Sequence, residues 1–392
     1  MSATQAGPDD QSPLVFVVAG EPSGDILGAR LMAALHRLTA GRIRFAGVGG
    51  EQMQAAGLSS LFPIEDIAVM GFAEVLPRLR VILRRLSETE AAIRTLRPNV
   101  VVTIDSPGFT LRLARRVRPL GIRMVHYVAP QLWAWRPQRA RRLVGLFDQI
   151  LALFPFEPAF FASMGISAVD VGHPAIETPD VAPGDIRAVL GIPMAAPVLA
   201  LLAGSRRGLV ARMLPVYGEA VRLLGARNPE LRIVMPVVGA TEADVSAAVA
   251  KWPVPCHVLV DPLQKLQALA TADVAITTSG TATLELALAG LPMVVAYRAS
   301  AISAFLTYRM IRVPHVALPN VILGRRLVPE LMQREVTPES LADGATLLLS
   351  DPSAAAAQRA GFDELRALLG GRDMPPSERA ARIVLATMSR GA

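Results

Sequence analysis

The sequence is short of cysteine, of long apolar runs and of metal-binding patterns, and each shortage removes a class of protein. Cys256 is the only cysteine among 392 residues. One thiol cannot build an internal disulfide framework, and its isolation fits a reducing compartment. No uninterrupted apolar stretch reaches the roughly 18 residues that a spanning helix needs. Yet mean hydropathy is +0.40 and 52% of residues are hydrophobic. That surplus is expected to fill globular cores, and the length suits two domains of ordinary size. The opening MSATQAGPDDQSP has neither the basic start nor the apolar middle of a secretory signal, so residues 1–13 are expected to form a disordered tail. There is no Cys/His ligand spacing, no HExxH and no Asp-x-Asp pair. We expect neither metal nor cofactor.

What is present is arginine, unevenly placed. Residues 78–142 hold fifteen arginines against Glu88, Glu90 and Asp105, while the whole chain is only +7. Such a local field attracts a polyanion: nucleic acid, anionic lipid or a phosphorylated substrate. No nucleic-acid-binding module accompanies the arginines, so nucleic acid is not expected as a partner. Residues 67–79, IAVMGFAEVLPRL, are apolar, and an arginine-rich helix is expected over 80–97. Two readings stay open: an ordinary amphipathic surface helix, or an apolar patch with a basic rim that docks on an anionic membrane.

The chain alternates short β-rich runs with helical stretches, which implies parallel sheets with right-handed crossovers. In the first half, strands are expected over 14–19, 44–48, 99–104, 123–128, 150–154 and 168–171. The first ends in Gly20-Glu21-Pro22-Ser23-Gly24-Asp25, a glycine-rich turn whose spacing is not the dinucleotide fingerprint. The third ends in Asp105-Ser106-Pro107-Gly108. An aspartate there serves either as a turn former or as a general base. Pro-rich sequence from Gly172 to Gly184 marks a domain boundary, with 14–175 and 185–350 as the two domains and 176–184 as linker. Helices over 351–392 are expected to pack back toward the first domain.

The second half centres on Val274 to Tyr297, VAITTSGTATLELALAGLPMVVAY. It reads as strand, turn, helix, stop signal and strand. Open α/β sheets bind ligands at such a turn, because free N–H groups and the helix dipole face an anion there. Glu285 is the only charge between Asp273 and Arg298. It is either a solvent-facing glutamate or a carboxylate for two ribose hydroxyls. Gly204-Ser205-Arg206-Arg207 opens another helix after the expected strand 198–202 and suits a diphosphate. Leu318-Pro319-Asn320 is expected to be a late polar loop.

Taken together, GEPSGD at 20–25, AVMGFAEVLPRL at 68–79, IDSPGF at 104–109, HYVAPQLWAWRPQR at 126–139, LFPFEP at 153–158, GHP at 172–174, GSR at 204–206, SGTATLELALAGLPMVVAYR at 279–298 and LPN at 318–320 resemble the lipid-A-disaccharide synthase family of glycosyltransferases. The resemblance implies a GT-B fold: two Rossmann-like parallel-sheet domains facing a cleft, with C-terminal helices. It implies transfer from UDP-2,3-diacylglucosamine to 2,3-diacylglucosamine 1-phosphate, with inversion, to give a β-1,6 disaccharide and UDP. By resemblance, Asp105 is the candidate base. Gly204, Ser205, Arg206, Ser279, Gly280, Thr281, Glu285 and Asn320 bind the UDP-sugar. Gly20, Glu21, Ser23, Gly24, Asp25 and Gln131 lie on the acceptor side. Met70, Phe72, Val75, Leu76, Arg84 and Arg85 dock on the inner face of the inner membrane, from the cytoplasm. A homodimer is left open. The sequence departs from the family pattern at Gly108 and Thr110, where Asp and Asn are usual, at Ala203, where Pro is usual, and at Leu209, near which a Glu is usual. Two alternatives follow: a UDP-sugar 2-epimerase of the same fold, and a catalytically weakened membrane-bound homologue.

Overall fold

The computed structural model describes residues 12–68, 72–135, 137–177, 182–299, 314–370 and 374–389, except the side chains of 72–77 and 135. The chain divides into two compact units, residues 1–177 with 369–392, and residues 178–368.

The first unit holds a six-stranded parallel sheet: β1 (Leu14–Ala19), β2 (Arg44–Val48), β3 (Val100–Ile104), β4 (Arg123–Tyr127), β5 (Gln149–Ala152) and β6 (Ala168–Asp170). Their spatial order is β2-β1-β3-β4-β5-β6. β1 and β3 are buried along their whole length because helices cover both faces, and their near-continuous apolar sequence follows from that. Helix Pro22–Leu38 begins with proline at its first turn, where the missing N–H costs nothing. The arginine-rich helix is longer than its sequence suggests. It runs as one element, Phe72–Leu96, and buries Ile82, Leu86 and Ile93 against the sheet. Helix Pro376–Ser389 packs on Pro22–Leu38, and Arg379 Nε donates to the Val171 carbonyl at 2.7 Å.

The second unit repeats the plan with β7 (Val198–Leu202), β8 (Arg232–Pro236), β9 (Cys256–Leu259), β10 (Val274–Thr278), β11 (Met293–Tyr297) and β12 (Glu330–Met332). All are parallel, in the order β12-β11-β10-β7-β8-β9. Helices Arg207–Arg227 and Pro338–Ser350 cover the core. Residues 352–368 of helix Pro352–Gly370 belong to this unit, where Gln358 pairs with both backbone groups of Met293 at 2.8 and 3.2 Å.

Each sheet has one point where the strand order reverses: between β1 and β3 in the first unit, and between β7 and β10 in the second. The helices that follow those strands lie on opposite faces of the sheet, and in open α/β sheets the ligand crevice lies at the carboxyl ends of such a strand pair.

Candidate active site

The loops after β1 and β3 meet at the first crevice. A Cβ built on Gly20 would lie 2.4 Å from Ser106 Cβ, so no larger residue fits between the loops. Asp105 and Ser106 both adopt the left-handed backbone, at φ 48° and 45°. Such conformations cost of the order of 1–3 kcal/mol each in non-glycine residues and persist only where neighbours hold them. Here the Thr110 hydroxyl is placed to donate to the carbonyls of Asp105 and Ser106, at 2.8 and 2.9 Å, and Asp105 N–H donates to the Tyr127 carbonyl at 2.9 Å. The result presents the half-buried Asp105 carboxyl at the rim. Burial raises its pKa, against an opposing hydrogen bond from the Ser106 N–H. Glu21, one loop away, is raised first by burial and then by the charge of Asp105. Two carboxyls thus share the rim, and both hold a proton more readily than a free carboxylate.

The other residues expected on the acceptor side divide. Ser23 and Gln131 are exposed, and Gly24 is buried. Asp25 turns away from the rim. It is only 5% exposed, and its oxygens accept from the N–H groups of Gly50 (2.8 Å), Gln52 (2.9 Å) and Met53 (3.0 Å). It caps helix Glu51–Ala55, so its carboxylate is occupied by structure and not presented to an acceptor.

At the second crevice, Gly204 and Thr278 adjoin. Gly204 has φ +92°, and a Cβ there would lie 2.9 Å from Leu209 Cδ2 and 3.1 Å from Thr278 Oγ1. The loop Gly204-Ser205-Arg206 therefore lies against the end of β10. Helix Arg207–Arg227 starts directly after it, and helix Thr281–Leu288 starts after Ser279-Gly280. Two helix N-termini on adjacent strands offer unpaired N–H groups and positive dipole ends to an anion. Ser205, Arg206 and Thr281 are exposed. The Ser279 hydroxyl donates to the Val316 carbonyl at 2.8 Å. Glu285 is exposed, yet the protein around its carboxyl still raises its pKa by desolvation.

Asn320 does not fit its expected place. It lies in helix Leu318–Leu323 rather than a loop, and it is 0% exposed. Its Oδ1 accepts from the N–H groups of Leu327 and Val328, and its Nδ2 donates to the Val328 carbonyl. The amide shapes the turn into β12 and does not face a ligand.

Sequence reasoning missed Glu330 and Glu157. Glu330 Oε1 accepts from Val316 and Ala317 N–H, and Oε2 lies 3.3 Å from His315 Nδ1, which steadies the segment that Ser279 also holds. Its strand has only three half-buried residues, too few for a period-2 signal. Glu157 is buried beside Trp133. The one available signal was an acid set among the aromatics of LFPFEP.

Of the departures from the family pattern, Thr110 has a local role, Ala203 and Leu209 lie in the second core, and Gly108 has no structural explanation. A Cβ on Gly108 would meet nothing within 4 Å, so the glycine is not forced by packing. Thr110 holds the strained turn.

Of the membrane-docking set, Met70 lies outside the described residues, and Phe72, Val75 and Leu76 are described as backbone only. Arg84 is exposed and pairs with Glu88 at 2.8 Å. Arg85 is turned inward. It binds Asp66 at 2.7 Å and Glu88 at 2.6 Å, with its guanidinium over the Phe62 ring. Its charge is spent on holding the helix rather than offered to a surface. Among the described residues, no helix is long and apolar enough to cross a membrane.

Two parallel α/β units with polar loops at both switch points are the plan of the GT-B class of sugar-nucleotide enzymes. The crystal structure of UDP-GlcNAc 2-epimerase from Neisseria meningitidis bound to UDP-GlcNAc has the same fold, with a TM-score of 0.64 at 12% identity over 96% of this chain and 100% of that one. The sequence narrows the class. The family model for lipid-A-disaccharide synthetase matches residues 15–384. Lipid-A-disaccharide synthase of Rhodospirillum centenum is 46% identical over 96% of this chain and 95% of its own length, and that of Gluconobacter oxydans is 44% identical over 95% and 90%. The chain belongs to the lipid-A-disaccharide synthase family and is a glycosyltransferase. The likeness to the epimerase extends to the fold alone, and the epimerase alternative is set aside.

Proposed function

We propose that the enzyme transfers 2,3-diacylglucosamine from UDP to 2,3-diacylglucosamine 1-phosphate, forming the β-1,6 disaccharide 1-phosphate and releasing UDP. The observation that carries the assignment of roles is the pair of crevices, one lined by carboxyls and the other by helix N-termini and arginine. The second unit holds the donor. Gly204, Ser205, Arg206 and the helix start at Gly280-Thr281 receive the diphosphate, and Glu285 accepts hydrogen bonds from the ribose hydroxyls. The first unit holds the acceptor beside Glu21, Ser23 and Gln131. Its free hydroxyl oxygen attacks the anomeric carbon opposite the UDP oxygen, and the bond to UDP breaks. Asp105 takes the hydroxyl proton, and its raised pKa makes it a stronger base than a free aspartate. The negative charge growing on UDP is met by Arg206 and the two helix dipoles.

Both substrates carry acyl chains, so we further propose that the enzyme works on the anionic inner face of the inner membrane. Helix Phe72–Leu96 supports this with exposed Leu79, Val81 and Leu83 among exposed Arg78, Arg80 and Arg84. The test is incubation with donor and acceptor, singly and together, followed by mass spectrometry. Disaccharide 1-phosphate and UDP should form only with both. UDP binding without turnover would favour the weakened homologue.

A further inference from the structure

The chemistry above leaves unused a cluster on the same carboxyl edge of the first sheet. Glu157 opens helix Glu157–Ala162 just after β5 and is 1% exposed. Its Oε1 accepts from the indole Nε1–H of Trp133 at 3.0 Å. Its Oε2 accepts from the N–H groups of Leu153 at 3.0 Å and Phe154 at 3.1 Å. Burying a carboxyl is costly unless donors surround it, and here three do. One of the three comes from a different segment.

That segment, residues 128–135, leaves β4 through Val128 in the left-handed conformation, at φ 73°, and ends in the single helical turn Leu132–Trp135 that carries Trp133. A β-branched residue there is a true outlier, so the segment needs outside support to keep its shape. It starts beside Asp105, whose N–H donates to the carbonyl of Tyr127, and it carries Gln131 and Trp133. Trp133 is only half-buried. Its ring meets Phe156 edge-to-face at 4.9 Å and Phe154 at 6.5 Å. Phe156 is half-buried as well, and Phe154 stacks between it and His173, at 5.7 Å from each. With the indole N–H tied inward to Glu157, what Trp133 and Phe156 leave accessible is aromatic carbon, a surface for the apolar part of a lipid-linked sugar and not for its phosphate.

We propose that Glu157 is a positioning residue for the lipid acceptor: through Trp133 it fixes the 128–135 segment, so that Trp133 and Phe156 form an apolar wall for the acyl-sugar beside Asp105. This rests on the first crevice being the acceptor side.

Two substitutions break the same bond from opposite ends. Glu157→Gln replaces one acceptor oxygen with a donor group. Trp133→Phe removes the indole N–H and keeps an aromatic ring. Initial rates would be measured against acceptor concentration at saturating donor, with UDP affinity by calorimetry. We expect each variant to raise the acceptor KM about tenfold, the size of one lost hydrogen bond. Turnover should stay within about threefold and UDP affinity should not change. The double variant should be no worse than the worse single one, because both remove one interaction. An unchanged acceptor KM in folded Glu157→Gln would overturn the proposal, as would additive effects or a loss of UDP affinity. If Glu157→Gln does not fold, Trp133→Phe decides by the same measure. Asp105→Asn, run in parallel, tests the rim itself. Normal turnover in that variant and in Glu21→Gln alike would sink the acceptor-side reading and this inference with it. Lowered turnover in either, with an unchanged acceptor KM in Glu157→Gln, would sink this inference alone.

Discussion

Asp105 is held in a conformation that most residues avoid, beside a second carboxyl, and both features bear on its chemistry. If it is the base, Asp105→Asn should lower kcat by about 10²–10⁴-fold while UDP affinity stays the same, because only proton transfer is lost. Its raised pKa adds a second signature. The base works only when ionised, so kcat should fall on acidification with a midpoint above the ordinary aspartate value of 3.8. A pH–rate profile that keeps this limb in Asp105→Asn would pass the role to Glu21. If Glu285 holds the donor's ribose, no side-chain hydrogen bond or ion pair among the described residues competes for its carboxyl. Glu285→Ala should weaken UDP binding by roughly 1–3 kcal/mol, the scale of hydrogen bonds to a charged group. Unchanged affinity by calorimetry would return it to the solvent-facing role.

Asp25 shows the difference between an element's place and a residue's duty. Its carboxylate accepts three N–H bonds from residues 25 to 28 positions away. Asp25→Asn should therefore destabilise the fold by about 1–3 kcal/mol in urea titration, and the folded enzyme should keep its acceptor KM. A raised KM without loss of stability would restore Asp25 to the acceptor side. Elements were legible where burial imposes an unbroken apolar run. β1, β7, β10 and β11 have the limits that their sequences predict on that ground, and β2, exposed at Arg44 and half-buried at Phe45 and Ala46, has its predicted limits without such a run. The loops that carry the candidate site were legible in position, since Glu21, Asp105, Gly204 and Gly280 each follow a recognisable strand. What could not be read was which polar side chain turns inward. Asp25, Asn320, Arg85, Glu157 and Glu330 are all claimed by partners that only the folded chain brings near. Helix Phe72–Leu96 was read short at its N-terminus because its first turns are apolar and carry Pro77.

For the whole molecule, pH and salt act through different groups. His126 is fully buried against Phe147 and Thr103, and burial drops its pKa to about 4; His173 is likewise pushed to about 4. The unfolded chain binds these protons near 6.5 and the folded one only near 4. Stability is therefore complete above 6.5 and is lost as pH falls toward 4. Glu157, raised to about 7, acts in reverse: its contribution is present below 4.5 and is lost as pH rises to 7. The smaller upward shifts of Glu21, Asp105 and Glu285 act with Glu157, and the downward shift of His257 acts with the two buried histidines. The histidine share is read by difference: between pH 6.5 and 4.5 the denaturation midpoint should fall less steeply in His126→Gln than in the wild type. Equal slopes in the two would remove His126 from this role. Salt should act on membrane binding. Retention on anionic vesicles should decrease as ionic strength rises, and Arg80→Glu with Arg84→Glu should weaken it further, whereas Arg85→Glu should mainly cost stability. Retention on neutral vesicles at high salt, unaffected by the double variant, would show that the arginines are not the contact.

The first unit is closed by a helix encoded far from the rest of it. Its sheet is finished at Asp170, but Pro376–Ser389, which covers helix Pro22–Leu38 and reaches Val171 through Arg379, is translated only after the whole second unit. At about 5–20 residues per second, the roughly two hundred intervening residues delay it by about 10–40 seconds. During that interval a nascent chain carries an unfinished first unit whose helix face is bare, while the second unit, contiguous in sequence, has everything it needs. The order of synthesis is therefore not the order of completion: the half made first is the half finished last, and it is the one that a chaperone on the ribosome would have to shield.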